Sequence, residues 1–144
     1  MKKIVPYLIT AFLLLNCANG HWYNEIRDFT GNLTRGCETL EEKVKVIDYY
    51  VHIKNTYEFN WYAVPMRKYW KSHIGDCTDM ARLKSYMYRF AEIDNRLVHG
   101  FVVTDSALYK HDWIEYYNGT DWVSNEQKRF HSDLQKVLMY ELIR

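Results

Sequence analysis

The segment that decides the fold is GDCTDMA, residues 75–81, in which a glycine and an aspartate lead directly into a cysteine. An apolar-periodic run begins immediately after the cysteine, so the sequence predicts a helix that starts at Cys77. Asp76 is the predicted N-cap residue, and Asp79 is the acidic half of a capping box. Unpaired N–H groups and the positive end of the helix dipole favour the thiolate form of a cysteine at such a position.

Three further segments are predicted from their apolar spacing. Thr39 begins a capping box, and the apolar positions after it predict a helix that runs to about Asn55. Residues 60–70 are rich in aromatic side chains and contain Pro65, which favours a loop or an irregular segment. The helix after the cysteine carries an apolar stripe and should end near Ile93. The members of this stripe are Met80, Leu83, Met87 and Phe90.

The second half of the chain changes from a helical period to a strand period. Asn118-Gly119 predicts a two-residue hairpin turn, and residues 132–143 have helical spacing that predicts a C-terminal helix. The predicted fold class is therefore α+β, with the cysteine-bearing helix packed on a small antiparallel sheet and extra helices towards the N- and C-termini. The predicted strands are residues 97–103, 111–117 and 122–126.

The predicted hairpin brings a histidine and a carboxylate together. With a two-residue turn, His111 lies directly opposite Glu126, about 4.5 to 5.5 Å apart at Cβ. A carboxylate beside an imidazole fixes its tautomer and stabilises its protonated form, which is the orienting role in a catalytic triad. A three-residue loop would turn Glu126 to the other face and favour Asn125 instead. The same register predicts the pairs Tyr117 with Thr120 and Glu115 with Trp122.

The order of these residues resembles that of the transglutaminase-like superfamily of papain-type thiol enzymes. Taken singly, a cysteine after a turn is commonly a small buried hydrophobe, and a His–Glu pair on a strand is commonly a surface ion pair. The resemblance depends on their combination and covers roughly residues 40–127. The matching segments are GDCTDMA at 75–81, Gly100, HDWIE at 111–115 and Trp122-Val123.

The resemblance implies a papain-like, transglutaminase-like fold and the chemistry of a cysteine peptidase or an acyl transferase. It assigns Cys77 as the nucleophile, His111 as the general base and acid, and Glu126 as the third member of the triad. The family usually has an aspartate at this third position, followed by a proline, whereas this chain has Glu126 and Gln127. Such a triad attacks an amide carbonyl, and water or a second amine then resolves the thioester.

The supporting residues of this chemistry remain open. The N–H of Cys77, in a turn held by Asp76, is one predicted oxyanion donor, and the indole of Trp70 or Trp61 is a candidate for the other. An alternative is a catalytically inactive binding module of the same fold, in which a Cys37–Cys77 disulfide would remove the nucleophile. The histidine and acidic residues near the cysteine match no usual zinc pattern, so no metal is predicted.

Composition bounds the number of domains and the classes of partner. The chain has 144 residues, 48% hydrophobic and 17% aromatic, which suits one packed domain and is too short for two ordinary ones. The formal net charge of +1 gives no indication of a nucleic-acid groove. The expected partner is a protein, peptide or cell-wall amide substrate, and no cofactor is expected.

The N-terminal sequence predicts export. A basic start followed by an apolar run over residues 4–15 is typical of an export signal and is too short to span a bilayer comfortably. We therefore expect a signal peptide at residues 1–20 and one transglutaminase-like domain at residues 21–144. Cleavage after Gly20 would give a secreted or periplasmic protein, whereas acylation of Cys17 would give a membrane-anchored lipoprotein. The expected location is extracytoplasmic in both cases.

Overall fold

The structure, a computed structural model, describes residues 20–103, 108–124 and 136–143. Helices occupy the first part of the described chain, and an antiparallel sheet forms the second part. The helices are α1 (20–33), α2 (Leu40–Lys54), α3 (Met66–Ser72) and α4 (Cys77–Phe90). The strands are β1 (Thr56–Tyr57), β2 (Ile74–Gly75), β3 (Asn95–Val103), β4 (Leu108–Tyr117), β5 (Trp122–Val123) and β6 (Lys136–Ile143).

The strands form two sheets of different size. The main sheet has the strand order β5-β4-β3-β6, and its neighbouring strands are all antiparallel. β1 and β2 form a two-stranded parallel pair in which Tyr57 lies opposite Gly75. This short pair joins the aromatic segment before α3 to the turn that precedes Cys77. The arrangement confirms the α+β class and the small antiparallel sheet predicted from the sequence.

Helix α4 lies at the centre of the domain and packs on β3 and β4 as well as on α2 and α3. Its predicted apolar stripe is confirmed, because Leu83 and Met87 are fully buried and Met80 and Phe90 pack against the core. Burying one such side chain contributes about 1.5 to 3 kcal/mol. The other helices and the sheet supply the rest of the core. Its fully buried members outside α4 include Ile26, Val44, Ile47 and Tyr69.

The capping box predicted at Thr39 is confirmed. The Thr39 hydroxyl accepts a hydrogen bond from the Glu42 N–H at 3.2 Å, and the Glu42 carboxylate accepts one from the Thr39 N–H at 3.2 Å. Two otherwise unpaired amides at the start of α2 are thereby satisfied. The helix ends at Lys54, with Asn55 as its C-cap, as the apolar spacing predicts.

The aromatic segment at residues 60–70 is partly helical, which corrects the prediction of an irregular segment. Pro65 has φ −52° and directly precedes α3. Its carbonyl accepts hydrogen bonds from the N–H groups of Lys68 (2.8 Å) and Tyr69 (3.0 Å). A proline at a helix start loses no hydrogen bond, because the first amides of a helix have no intrahelical partner. Pro65 therefore marks the start of a helix.

The hairpin turn between β4 and β5 is longer than predicted. The Asn118 side chain accepts hydrogen bonds from the backbone N–H groups two and three residues later, at 2.9 and 2.8 Å. These bonds stabilise a four-residue loop in place of a two-residue turn. Trp122 therefore pairs with Tyr117. The predicted pairs of Tyr117 with Thr120 and of Trp122 with Glu115 are wrong by two residues.

The C-terminal helix predicted at residues 132–143 is also wrong where the structure describes it. Residues 136–143 form strand β6, which pairs with β3 from Val103–Lys136 to Leu97–Ile143. Without this partner, β3 would present an open edge of unpaired N–H and C=O groups. Pairing along a nine-residue strand therefore outweighs the local helical spacing. Residues 125–135 lie outside the described residues.

Candidate active site

Cys77 is the first residue of α4, as the sequence predicts. The Asp76 carboxylate accepts hydrogen bonds from the N–H groups of Thr78 (2.9 Å) and Asp79 (3.3 Å). In return, the Asp79 carboxylate accepts a hydrogen bond from the Asp76 N–H at 3.3 Å. This capping box engages the second and third amides of α4, so the N–H of Cys77 itself lies outside the cap. The half-buried thiol sits at the positive end of the helix dipole.

Gly75 is required by the close packing of this turn. A Cβ atom added at Gly75 would lie 2.5 Å from Asp79 Oδ2, 2.8 Å from Asp79 Cβ and 2.9 Å from Tyr69 Cε2. Real Cβ atoms essentially never approach other heavy atoms so closely. The glycine therefore lets the chain pass over the side chain that completes the capping box. A residue larger than glycine does not fit at the first position of the Gly75-Asp76-Cys77 motif.

Asp79 joins the turn at residues 75–77 to the preceding segment. Its fully buried carboxylate accepts a hydrogen bond from the Val64 N–H at 2.8 Å and lies 3.6 Å from the Arg82 guanidinium. Burial raises the pKa of the Asp79 carboxyl, and the backbone N–H donors of Val64 and Asp76 offset part of that rise. Arg82 also donates to the Val64 carbonyl at 2.9 Å. The start of α4 and the segment before α3 are therefore held as one unit.

Cys77 and His111 lie at about the same level along the sheet. β3 returns along α4, and β4 is antiparallel to β3, so β4 follows the direction of α4. The rings of Tyr88 and Tyr116 are in contact, with centroids 6.1 Å apart. From Tyr88 back to Cys77 the helix rises about 16 Å, and from Tyr116 back to His111 the strand covers about the same length.

The two faces of β4 have different surroundings. Ile114 and Tyr116 belong to the core that contains α4. Because side chains alternate along a strand, His111 and Trp113 lie on the opposite face, where their rings stack with centroids 6.0 Å apart. Gly100 lies directly opposite His111 in the register. β3 therefore presents only a hydrogen atom beside the imidazole.

A second histidine–carboxylate pair lies on the face of the sheet that packs on α4, and sequence reasoning missed it. His99 lies directly opposite Asp112 in the β3–β4 register, and its Nδ1 is hydrogen-bonded to the Asp112 carboxylate. Asp112 is buried, whereas His99 is partly exposed. Both residues lie next to the His111–Gly100 pair, so they are also at about the level of Cys77. The site thus has one histidine on each face of the sheet.

Three predicted residues lie outside the described residues. They are Glu126, Asn125 and Cys17. The orienting role of Glu126 or Asn125, and the lipidation of Cys17, therefore stay predictions. The two-residue shift of the hairpin register also removes the specific pairing on which the His111–Glu126 contact was predicted.

The two candidate oxyanion tryptophans occupy different environments. Trp70 is half-buried in an aromatic cluster, where its ring contacts those of Phe29 and His73 with centroids 5.5 Å away in each case. Trp61 is 87% exposed and contacts the ring of Phe59. Trp70 therefore has the surroundings of a packing residue, and Trp61 has those of a surface residue.

The two described cysteines are both free thiols, which corrects the disulfide of the alternative prediction. Cys37 lies between α1 and α2, where its N–H donates to the Thr34 carbonyl, whereas Cys77 begins α4. The turn that holds Cys37 and the cap that holds Cys77 are built from separate hydrogen-bond networks. Within residues 20–103, 108–124 and 136–143, no cluster of three or more histidine, cysteine or acidic side chains could hold a metal ion.

The fold and the site define a class of protein. A helix with a cysteine on its first turn packs on an antiparallel sheet whose two central strands carry histidines. The chain belongs to the transglutaminase-like superfamily, whose family model matches residues 27–126. This match includes α2, the GDC turn, β3, β4 and β5. Among curated proteins, no sequence matches this chain.

Solved structures share the fold at low sequence identity. A protein of Cytophaga hutchinsonii, described as a candidate cysteine protease, matches 83% of this chain with TM-score 0.67 and 16% identity. The periplasmic domain of TgpA from Pseudomonas aeruginosa, solved with ethylmercury, matches 71% with TM-score 0.57 and 16% identity. A candidate protease of Parabacteroides distasonis also matches 71%, with TM-score 0.52 and 16% identity. This chain covers 42%, 42% and 23% of those three chains respectively.

None of the helices in the part of the chain that the structure describes has the length and apolar character needed to cross a bilayer.

Proposed function

We propose that this protein is a thiol enzyme that cleaves or transfers the acyl group of an amide in proteins or peptides, through a thioester on Cys77. The observation that carries the proposal is the position of Cys77 on the first turn of α4, with its own N–H outside the capping box. Membership of the transglutaminase-like superfamily supports the same chemistry. The likeness to candidate cysteine proteases supports the fold alone, because identity is only 16%.

The proposed reaction has two stages. The Cys77 thiolate attacks the amide carbonyl, and a histidine of the sheet transfers the proton of the thiol to the leaving amine. The family motif assigns this role to His111, although its side chain lies on the face of β4 away from α4. The developing oxyanion accepts a hydrogen bond from the Cys77 N–H, a kind of contact that contributes about 3 kcal/mol in other enzymes. Water or a second amine then attacks the thioester, so the products are those of hydrolysis or transamidation. Glu126, or Asn125 in its place, orients His111.

His99 is the second candidate for the general base. It is favoured by its hydrogen bond to the buried carboxylate of Asp112 and by its place on the face that packs on α4. A carboxylate that holds one ring nitrogen leaves the other nitrogen to accept a proton. His111 is favoured by the HDWIE motif and by its position directly opposite Gly100, which has no side chain. Replacement of each histidine by alanine distinguishes the two.

We assign the working location of the protein outside the cytoplasm. The basic and apolar N-terminal sequence supports export, by cleavage after Gly20 or by acylation at Cys17. The likeness to the periplasmic domain of TgpA from Pseudomonas aeruginosa supports the fold alone, so this assignment rests on the N-terminal sequence. Mass spectrometry of the mature N-terminus separates the two routes, because acylation adds the mass of lipid chains to Cys17.

The proposed activity is tested with labelled casein as the acyl donor, with and without dansylcadaverine as the amine. The wild-type protein should release peptides or incorporate dansyl groups, and Cys77→Ala should abolish both. Cys37→Ala is the matched control and should retain activity, because Cys37 lies in the turn between α1 and α2. Equal turnover by wild type and Cys77→Ala would refute the proposal.

A further inference from the structure

Four large aromatic side chains stand exposed on the segment that leads from α2 to α3. We call this group the aromatic loop, and its side chains are 62% to 88% exposed. Single exposed aromatic residues are common on protein surfaces, but several within one short segment form an apolar patch of the kind that marks a binding site. The aromatic loop consists of Tyr57, Phe59, Trp61 and Tyr62.

The backbone of the aromatic loop is fixed to the nucleophile turn. The Glu58 N–H donates to the Gly75 carbonyl at 3.0 Å, and the Asn60 N–H donates to the Asp76 carboxylate at 3.4 Å. Beyond the loop, the Val64 N–H donates to the Asp79 carboxylate at 2.8 Å. The acceptors are the two residues before the cysteine and the residue two positions after it. The exposed rings are therefore presented by a backbone that is anchored on both sides of Cys77.

The aromatic loop begins close to the thiol. Tyr57 pairs with Gly75 in the β1–β2 ladder, and Gly75 lies two residues before Cys77. The loop therefore starts next to the proposed site of acyl transfer.

We propose that the aromatic loop is the docking surface for an apolar side chain of the peptide substrate, next to the amide bond that Cys77 attacks. This inference rests on the function proposed above and names a substrate class for the same site. The rings of Phe59 and Trp61 meet edge to face, with centroids 5.3 Å apart and planes at 78°. Aromatic rings favour edge-to-face and offset contacts with one another, so an aromatic side chain of a peptide can add to this pair. The proposed occupant is therefore a peptide side chain, and a glycan is an alternative outcome of the test.

The test compares two alkylating probes on the reduced full-length protein. Iodoacetamide reports the reactivity of a thiol alone, and N-benzyl iodoacetamide adds one aromatic ring near the thiol. Mass spectrometry gives both rate constants at Cys77 and at Cys37, which serves as the internal control. The ratio of the benzyl-probe rate constant to the iodoacetamide rate constant should be about 2- to 12-fold higher at Cys77 than at Cys37. This is the range expected for one aromatic contact.

Two variants connect this preference to the loop. Phe59→Ser and Trp61→Ser should each reduce the ratio of the benzyl-probe rate to the iodoacetamide rate at Cys77. Tyr49→Ser is the matched control, because Tyr49 is 63% exposed on α2 and lies outside the loop.

Four results would overturn the inference. Equal preference at both cysteines, or a preference retained in both loop variants, rejects the docking surface while the thiol chemistry stands. If chitotetraose slows labelling of Cys77 and no benzyl preference is found, the occupant is a glycan and not a peptide. If neither probe labels Cys77, the proposed function and this inference are rejected together.

Discussion

Replacing Gly75 by alanine should destabilise the protein, and the structure gives the magnitude. The new methyl group would meet Asp79 and Tyr69 at 2.5 to 2.9 Å. Neither can move freely, because the Asp79 carboxylate accepts two backbone hydrogen bonds and the buried Tyr69 donates to Asn55 at 2.6 Å. Overpacking of this kind costs about 1 to 3 kcal/mol. Weakening one hydrogen bond of the capping box adds about 1 kcal/mol.

An alanine also reduces the conformational entropy of the unfolded chain, which raises the free energy of unfolding by about 0.4 to 1 kcal/mol. We therefore expect Gly75→Ala to lower the free energy of unfolding by about 2 to 3 kcal/mol. The measurement is urea unfolding followed by circular dichroism. Gly31→Ala is the matched control, because Gly31 lies in α1 and a Cβ atom added there would have nothing within 4 Å. This exchange should stabilise the protein by about 0.5 to 1 kcal/mol. Equal stability of Gly75→Ala and wild type would refute the steric account of the motif.

Two further predictions concern buried or partly buried ionisable groups. Lys84→Met should destabilise the protein by about 3 to 5 kcal/mol, because it leaves Asp48 buried without the ammonium group 3.6 Å away. Lys45→Met, at an exposed position of α2, should change the free energy of unfolding by less than about 0.5 kcal/mol. Equal changes in Lys84→Met and Lys45→Met would contradict this reasoning. Burial, aided by the charge of Lys54, lowers the pKa of His73. Just below the ordinary histidine pKa, the unfolded chain binds a proton at this histidine and the folded protein does not. The contribution of His73 to the free energy of unfolding is therefore fully present above about pH 6.5 and is lost as the pH falls below it. His73→Asn, which tolerates the left-handed backbone at φ 51°, should lose less stability between pH 7.5 and 5.5, and an unchanged loss would exclude His73 as its source.

The parts of the fold that local chemistry decides were predictable from the sequence. The capping boxes at Thr39 and Asp76 need only residues three positions apart, and both form as expected. The buried stripe of α4 likewise follows from its helical spacing. The start of the nucleophile helix therefore depends on local chemistry and needs no tertiary contact to be predicted.

The errors came from competition between local and distant partners. The Asn118 side chain binds two backbone amides of its own loop, which a preference for Asn-Gly turns does not anticipate. Residues 136–143 have helical spacing, yet they form a strand because they pair with the edge of β3. The His99–Asp112 pair depends on the register across residues 104–107, whose Thr-Asp-Ser cluster indicates a loop without fixing a register. The sequence therefore could not place a second histidine beside a carboxylate.

The central claim is that Cys77 is a nucleophile activated by a histidine of the sheet, which the family motif assigns as His111. Its most direct test is the rate of iodoacetamide labelling at pH 6, measured at Cys77 and Cys37 in wild type, His111→Ala and His99→Ala. An activated thiol should label at least about tenfold faster than Cys37. This advantage should disappear in His111→Ala and persist in His99→Ala. Loss in His99→Ala alone would move the base to the His99–Asp112 pair, and slower labelling of Cys77 than of Cys37 in wild type would contradict the enzyme proposal itself.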